Sequence, residues 1–122
     1  MQHTSELTKQ SIELAVQAVE FYKWLIYEKK EFVMSKQILR SATSIGANIH
    51  EAYYAVSKPD FIAKMQIALK EAAETDYWLI VLNRTGYFDM KFDCVKTMNT
   101  ALIKMLTATL NTAKRQTDEP SS

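Results

Sequence analysis

Met34-Ser-Lys-Gln-Ile38-Leu-Arg-Ser-Ala42-Thr-Ser-Ile45-Gly-Ala-Asn-Ile49-His-Glu-Ala52-Tyr-Tyr-Ala-Val56 reads as one helix. Met34, Ile38, Ala42, Ile45, Ile49, Ala52 and Val56 recur at spacings of four and three. That is the period that gathers side chains on one helical face. Gly46 lies inside this stretch at a cost of about 1 kcal/mol relative to alanine, and marks where a neighbouring helix could approach. Directly after it, Ser57-Lys58-Pro59-Asp60 is a start signal. Ser57 can cap, Pro59 sits in the first turn where its missing amide proton is harmless, and Asp60 completes a capping-box pattern.

Outward from this pair the same period continues. A first helix is predicted from about Ser5, with Ser5 or Thr4 as cap, to about Lys30. It carries two adjacent apolar stripes. One is Ile12, Ala15, Val16, Val19, Tyr22 and Ile26; the other is Leu14, Ala18, Phe21 and Leu25. Together they are wider than the ~100° arc of a singly packed surface helix. Either the whole arc is set in the bundle, or one stripe faces the core and the other a second subunit. The charged turn Glu28–Glu31 ends this helix. The third helix runs to about Arg84, with Phe61, Ile62, Met65, Leu69, Ala72, Leu79 and Ile80 inward and Gly86 just past its end. The fourth starts near Asp89 and reaches about Arg115, with Val95, Met98, Leu102, Met105, Leu106, Thr109 and Leu110 inward.

Composition agrees. Only two glycines and two prolines occur in 122 residues, too few for the turns of a sheet, and 48% of the chain is hydrophobic. The predicted fold is all-α, an up-down-up-down antiparallel four-helix bundle over residues 1–116, followed by a disordered polar tail, 117–122. Fifteen basic and fourteen acidic residues leave a net charge of +1, so the chain as a whole gives no argument for nucleic acid or anionic membrane. The lone Cys94 cannot form an internal disulfide. The N-terminal stretch has no apolar signal core, and the longest apolar run, Tyr77–Leu82, is too short to span a bilayer. A cytoplasmic protein with no membrane partner is expected.

The search for chemistry finds no catalytic set. The two histidines, His3 and His50, lack the Glu-x-x-His spacing of di-iron bundles, and Cys94 has no cysteine or histidine at ligand spacing. Gly46 and Gly86 stand alone, so no phosphate-cradling loop is present. No enzyme, metal or cofactor is expected.

Two polar constellations remain. On the second helix, Gln37, Arg40, Ser41, Ser44, Asn48 and Glu51 form a polar stripe beside the apolar one, and Glu74 and Asp76 of the third helix could meet it. It is either a hydrogen-bond network that fixes register or a small pocket. On the fourth helix, Lys96, Thr100, Lys104, Thr107, Asn111, Lys114 and Arg115 share one quadrant with no acid after Asp93. Such side chains contact phosphate and sugar, although many solvated helix faces also look like this.

The segment Gln37-Ile-Leu-Arg40-Ser-Ala42-Thr-Ser44-Ile45-Gly-Ala47-Asn48-Ile49-His-Glu51 resembles the signature of the bacterial 23S rRNA intervening-sequence proteins. In that family a Gln-Leu-Arg-Arg-Ala segment leads into Ser-Ile-x-x-Asn-Ile-Ala-Glu-Gly. Ile67-Ala68 with Glu74, then Gly86-Tyr87, resembles its third helix and closing turn. Three departures stand out. The family's Phe-Pro segment has no counterpart near Glu31–Met34, its final motif glycine is Ala52, and its Gly-Ser pair is Lys70-Glu71. The resemblance implies a cytoplasmic homopentamer of four-helix subunits, related to the accessory protein of diversity-generating retroelements, with a connection to ribosomal RNA.

The expected function is therefore a non-enzymatic homo-oligomer that binds structured RNA or DNA. Lys96, Lys104, Asn111, Lys114 and Arg115 would form its contact face. The alternative is a protein-binding scaffold anchored by Trp24, Tyr54 and Trp78. A small-molecule pocket on Ser44, Asn48 and Glu51 is a third reading.

Overall fold

A computed structural model describes residues 5–118, with backbone only for 117 and 118. Four helices, α1 (Glu6–Tyr27), α2 (Met34–Ala52), α3 (Lys58–Arg84) and α4 (Asp93–Asp118), account for nearly all of it, and no strand occurs among the described residues. Consecutive helices pack against each other and α4 closes back on α1. The connections are short, so neighbours run antiparallel, as the sequence predicts.

The helix ends follow from capping chemistry. The Ser5 Oγ accepts from the Thr8 amide at 3.0 Å and starts α1. Ser57 Oγ accepts from the Asp60 amide at 3.2 Å, as predicted for the cap of α3; the Asp60 Oδ2 accepts not from the Ser57 amide but from that of Val56, one residue earlier, at 3.4 Å. Gly86 ends α3 with φ +87°, and Tyr87 N–H donates back to the Leu82 carbonyl at 2.8 Å. This left-handed termination is one that glycine adopts without strain.

The start of α2 has a different solution. Val33 occupies its cap position and offers no side-chain acceptor. The Glu31 carboxylate, 9% exposed, fills the role: Oε1 accepts from the Ser35 amide at 2.7 Å and Oε2 from the Val33 amide at 3.3 Å. A carboxylate also complements the positive end of the helix dipole. Glu31→Ala is expected to cost about 1 kcal/mol in urea unfolding, the usual magnitude of a lost cap. An unchanged midpoint would show that water satisfies these amides equally well.

The core is built from Phe21, Leu14, Leu25, Ile38, Ile45, Ile49 and Leu82, with Leu102 and Leu106, all fully buried. Several predicted details need correction. Helix α2 ends at Ala52, a turn early, because the chain must reverse into Ser57; Val56, predicted as core, is 94% exposed. Ile80 is also exposed, while its neighbour Leu79, about 100° away around the helix, is the one that packing turns inward. Helix α1 stops at Tyr27 and not Lys30, which has φ +54°. A 3-10 turn, Met90–Phe92, precedes α4 and is capped by Asp89. The α4 core includes Asn99, which the apolar pattern passes over; its Nδ2 donates to the Ala72 carbonyl at 2.9 Å. The α4 backbone continues through Asp118, so the predicted tail begins as helix. Residues 119–122, with the alternative cap Thr4 and His3, lie outside the described residues.

Candidate nucleic-acid interface

The polar stripe of α2 divides when its partners are placed. Arg40 reaches across to α3, where its guanidinium donates to Glu71 at 3.3 Å and also to Glu74. Beneath it, the buried hydroxyls of Ser41 and Thr75 lie 2.9 Å apart. Glu51 pairs with Lys64 of α3 at 2.9 Å. Asn48 turns back on its own helix and donates to the Ser44 carbonyl at 2.8 Å. Gln37 is exposed. Asp76 does not join this seam; it lines the opposite side of α3, in a cleft shared with α4. The seam therefore clamps α2 to α3 at two levels. It also gives one departure from the family pattern a structural role, because Glu71 is a partner of Arg40.

The Arg40 guanidinium, and secondarily the Trp78 indole N–H at 3.1 Å, hold the Glu74 carboxyl below its ordinary value of 4.5. The unfolded chain then binds a proton at higher pH than the folded one. The stabilisation is complete above that ordinary value and is lost as pH falls through the depressed one. Arg40 and Glu74 side chains are 48% and 36% exposed, so solvent screening keeps the contribution to at most about 1 kcal/mol. The expected result is a melting temperature that falls, as pH drops below that ordinary value, more steeply in the wild type than in Glu74→Gln. Parallel curves would remove Glu74 as a source of acid sensitivity.

The predicted residues of α4 share a solvent-facing side. Lys96, Thr100, Lys104, Thr107, Asn111, Lys114 and Arg115 are all exposed. Among the described residues none of these four cations forms an ion pair; the pairs found are Lys23–Glu20, Arg40 with Glu71 and Glu74, and Lys64–Glu51. The face is not uniform, however. Lys96 lines a cleft of about 480 Å³ with Asp76, Asn83 and Asp93. Asn111, Lys114 and Arg115 line a separate depression with no carboxylate among its lining residues. The acidic neighbour Asp76 comes from α3, so the α4 sequence alone could not reveal it.

On α1, the two stripes separate. Leu14, Ala18, Phe21 and Leu25 are buried, while Ile12 and Val16 of the other stripe are 56% and 49% exposed. The three aromatics predicted as exposed anchors also divide. Tyr54 is 67% exposed; Trp24 and Trp78 are half-buried, Trp24 among Phe21 and Phe92. His50 is exposed and lies beside the Tyr54 ring. Cys94 is half-buried, with its Sγ 3.6 Å from Gln17 Oε1. No group of three or more metal-ligating side chains gathers among the described residues, and no helix among them is long and apolar enough to cross a membrane.

Fold and surface thus define a four-helix-bundle protein with a charged α2–α3 seam, a basic outer face and an uncovered apolar stripe. Residues 3–108 match the family model of the 23S rRNA-intervening sequence protein, and the chain belongs to that family. It is similar to a crystal structure from Bacteroides thetaiotaomicron VPI-5482, of a protein with unknown function from the S23 ribosomal protein family. The two share 51% identity with a TM-score of 0.83, over 86% of this chain and 95% of the other. No curated protein matches the chain.

Proposed function

We propose that this protein is a non-enzymatic homo-oligomeric bundle that binds structured nucleic acid, RNA or DNA, through the outer face of α4. The observation that carries the reading is the exposed row Lys96, Lys104, Lys114 and Arg115, unpaired by any carboxylate among the described residues. At 1.5 Å per residue the row spans about 28 Å, comparable to one turn of a duplex. The family's name ties it to ribosomal RNA, which favours RNA. The half-uncovered stripe of Ile12 and Val16 supports assembly, since a second copy would remove it from water. Repeating one modest basic row around a closed oligomer multiplies phosphate contacts that act together.

The test is fluorescence anisotropy with a structured RNA and a matched DNA duplex across a salt series, with light scattering on the same samples. Affinity should fall steeply as salt rises, with a log–log slope of about −3 or steeper, because several phosphates are neutralised at once. No binding at low salt would reduce the α4 row to a solvated face. A stable monomer would remove the assembly.

A second reading, a protein-binding scaffold, draws on Tyr54 and Val56, which stand 67% and 94% exposed at the α2–α3 turn. A specific protein captured after nuclease treatment, and lost in Tyr54→Ala, would favour it.

A further inference from the structure

Trp24 sits near the end of α1 that adjoins the start of α4. It lies amid lysines that are far apart in sequence. Lys29 Nζ stands 5.6 Å from its ring centroid and Lys91 Nζ 5.4 Å. Trp24, Tyr27, Lys23 and Lys91 line one shallow depression of about 320 Å³, with Phe92 as part of its wall. Phe21 and Phe92, with centroids 6.1 and 5.3 Å away, hold the indole in place while it remains half-buried; Tyr27 is 68% exposed.

Lys29, Lys30 and Lys91 form no ion pair among the described residues, whereas Lys23 is 3.5 Å from Glu20. Glu28 is the other carboxylate lining the depression. Lys30 is also the one non-glycine residue of positive φ among the described residues, at +54°. Glycine or asparagine would occupy that backbone with less strain, but neither would carry a cation.

We propose that this end of the bundle is a second nucleic-acid site, specific for unpaired nucleotides. A base stacks on the indole of Trp24, and the adjoining phosphates are held by Lys29, Lys30 and Lys91. Fixed aromatic faces among mobile cations are the combination by which single strands are bound, since every base has a π-face and every linkage a charge. A lysine over the outer side of a half-buried indole is held weakly, so a stacking base displaces it and the ammonium turns to the phosphate. The site rests on the nucleic-acid reading of the α4 face but is distinct from it. Its side chains come from α1, the α1–α2 turn and the 3-10 turn, and none belongs to the α4 row.

The test uses Trp78→Phe, which leaves Trp24 as the sole tryptophan of the chain. An end-labelled single-stranded oligouridylate and a blunt-ended RNA duplex are titrated separately at low salt, with indole emission and label anisotropy read together. The single strand should quench Trp24 saturably, with the same midpoint as its anisotropy rise. The added triple change Lys29→Glu, Lys30→Glu and Lys91→Glu should weaken that binding by roughly tenfold or more and abolish the quench, with helical circular dichroism unchanged. An anisotropy rise without quenching would overturn the stacking site while leaving nucleic-acid binding by α4 intact. Equal quenching by oligoglutamate would overturn it in favour of an acidic-peptide surface. Absence of an anisotropy rise with either RNA would overturn both readings.

Discussion

Phe21→Ala is expected to lower unfolding stability by about 3–5 kcal/mol, the range for a large aromatic removed from a packed core. Phe21 is fully buried and joins elements distant in sequence. Its ring meets Phe88 edge-on at 5.5 Å and Phe92 at 4.9 Å, both in the α3–α4 connection, as well as Trp24 on its own helix. Alanine would leave a cavity walled by rigid rings that cannot collapse, and each lost aromatic pair adds about 0.5–1.5 kcal/mol beyond burial. Against a net stability of about 5–15 kcal/mol, that is a large fraction. The measurement is urea denaturation at fixed protein concentration, because assembly would couple stability to concentration. Tyr54→Ala, at an exposed position, serves as the control and should stay within about 0.5 kcal/mol. A Phe21→Ala change below about 1 kcal/mol would mean that the aromatic cluster does not hold the α3–α4 connection to α1.

Why the helices were legible is plain from α2 and α3. Ile38, Ala42, Ile45 and Ile49 repeat without interruption, and Ser57, Pro59 and Asp60 leave the chain one economical way to start again. Local chemistry of that kind is decided within a few residues. The errors lie where the deciding partner is remote. Val56 continues the apolar period, yet the reversal into Ser57 takes it away from the core. Asn99 is polar by type but occupies a core position, because the Ala72 carbonyl is there to accept from it. On α1, both apolar stripes satisfied the helical period equally; packing buries Leu14, Phe21 and Leu25 and leaves Ile12 and Val16 outside.

The candidate site follows the same division. That Glu74 could meet the α2 stripe was legible, but the same reading offered Asp76, which packing places in the α3–α4 cleft instead. The part played by Glu71 was not legible, because a substitution in a family pattern says nothing of what the new side chain reaches. Nor could sequence place Asp76 beside Lys96, or Lys91 over Trp24, since each pair joins two elements whose rotation about their axes only packing fixes. Charge patterning along one helix therefore identified the solvent-exposed face of α4 but overstated its uniformity.

That non-uniformity bears on the charge-reversal experiment. Lys96→Glu, Lys104→Glu and Lys114→Glu together should reduce affinity for structured nucleic acid by at least about 10²-fold at low salt. Three attractive phosphate contacts become three repulsions, repeated in every subunit of an assembly. All three lysines are exposed, so far-UV circular dichroism and the urea midpoint should remain unchanged. The single variants should be unequal. Asp76 and Asp93 share the cleft of Lys96 and already offset much of its potential, so Lys96→Glu should have the smallest effect. Lys114 adjoins Arg115 and Asn111 with no carboxylate in the shared depression, and Lys114→Glu should have the largest. Anisotropy titrations of the three single variants and the triple variant decide the matter. If Lys96→Glu dominates, the bound phosphate lies at the α3–α4 cleft, and the opposite end of α4 is solvated surface. If the triple variant binds as tightly as the wild type, α4 is not the contact face, and any nucleic acid that remains bound must be held elsewhere on the bundle.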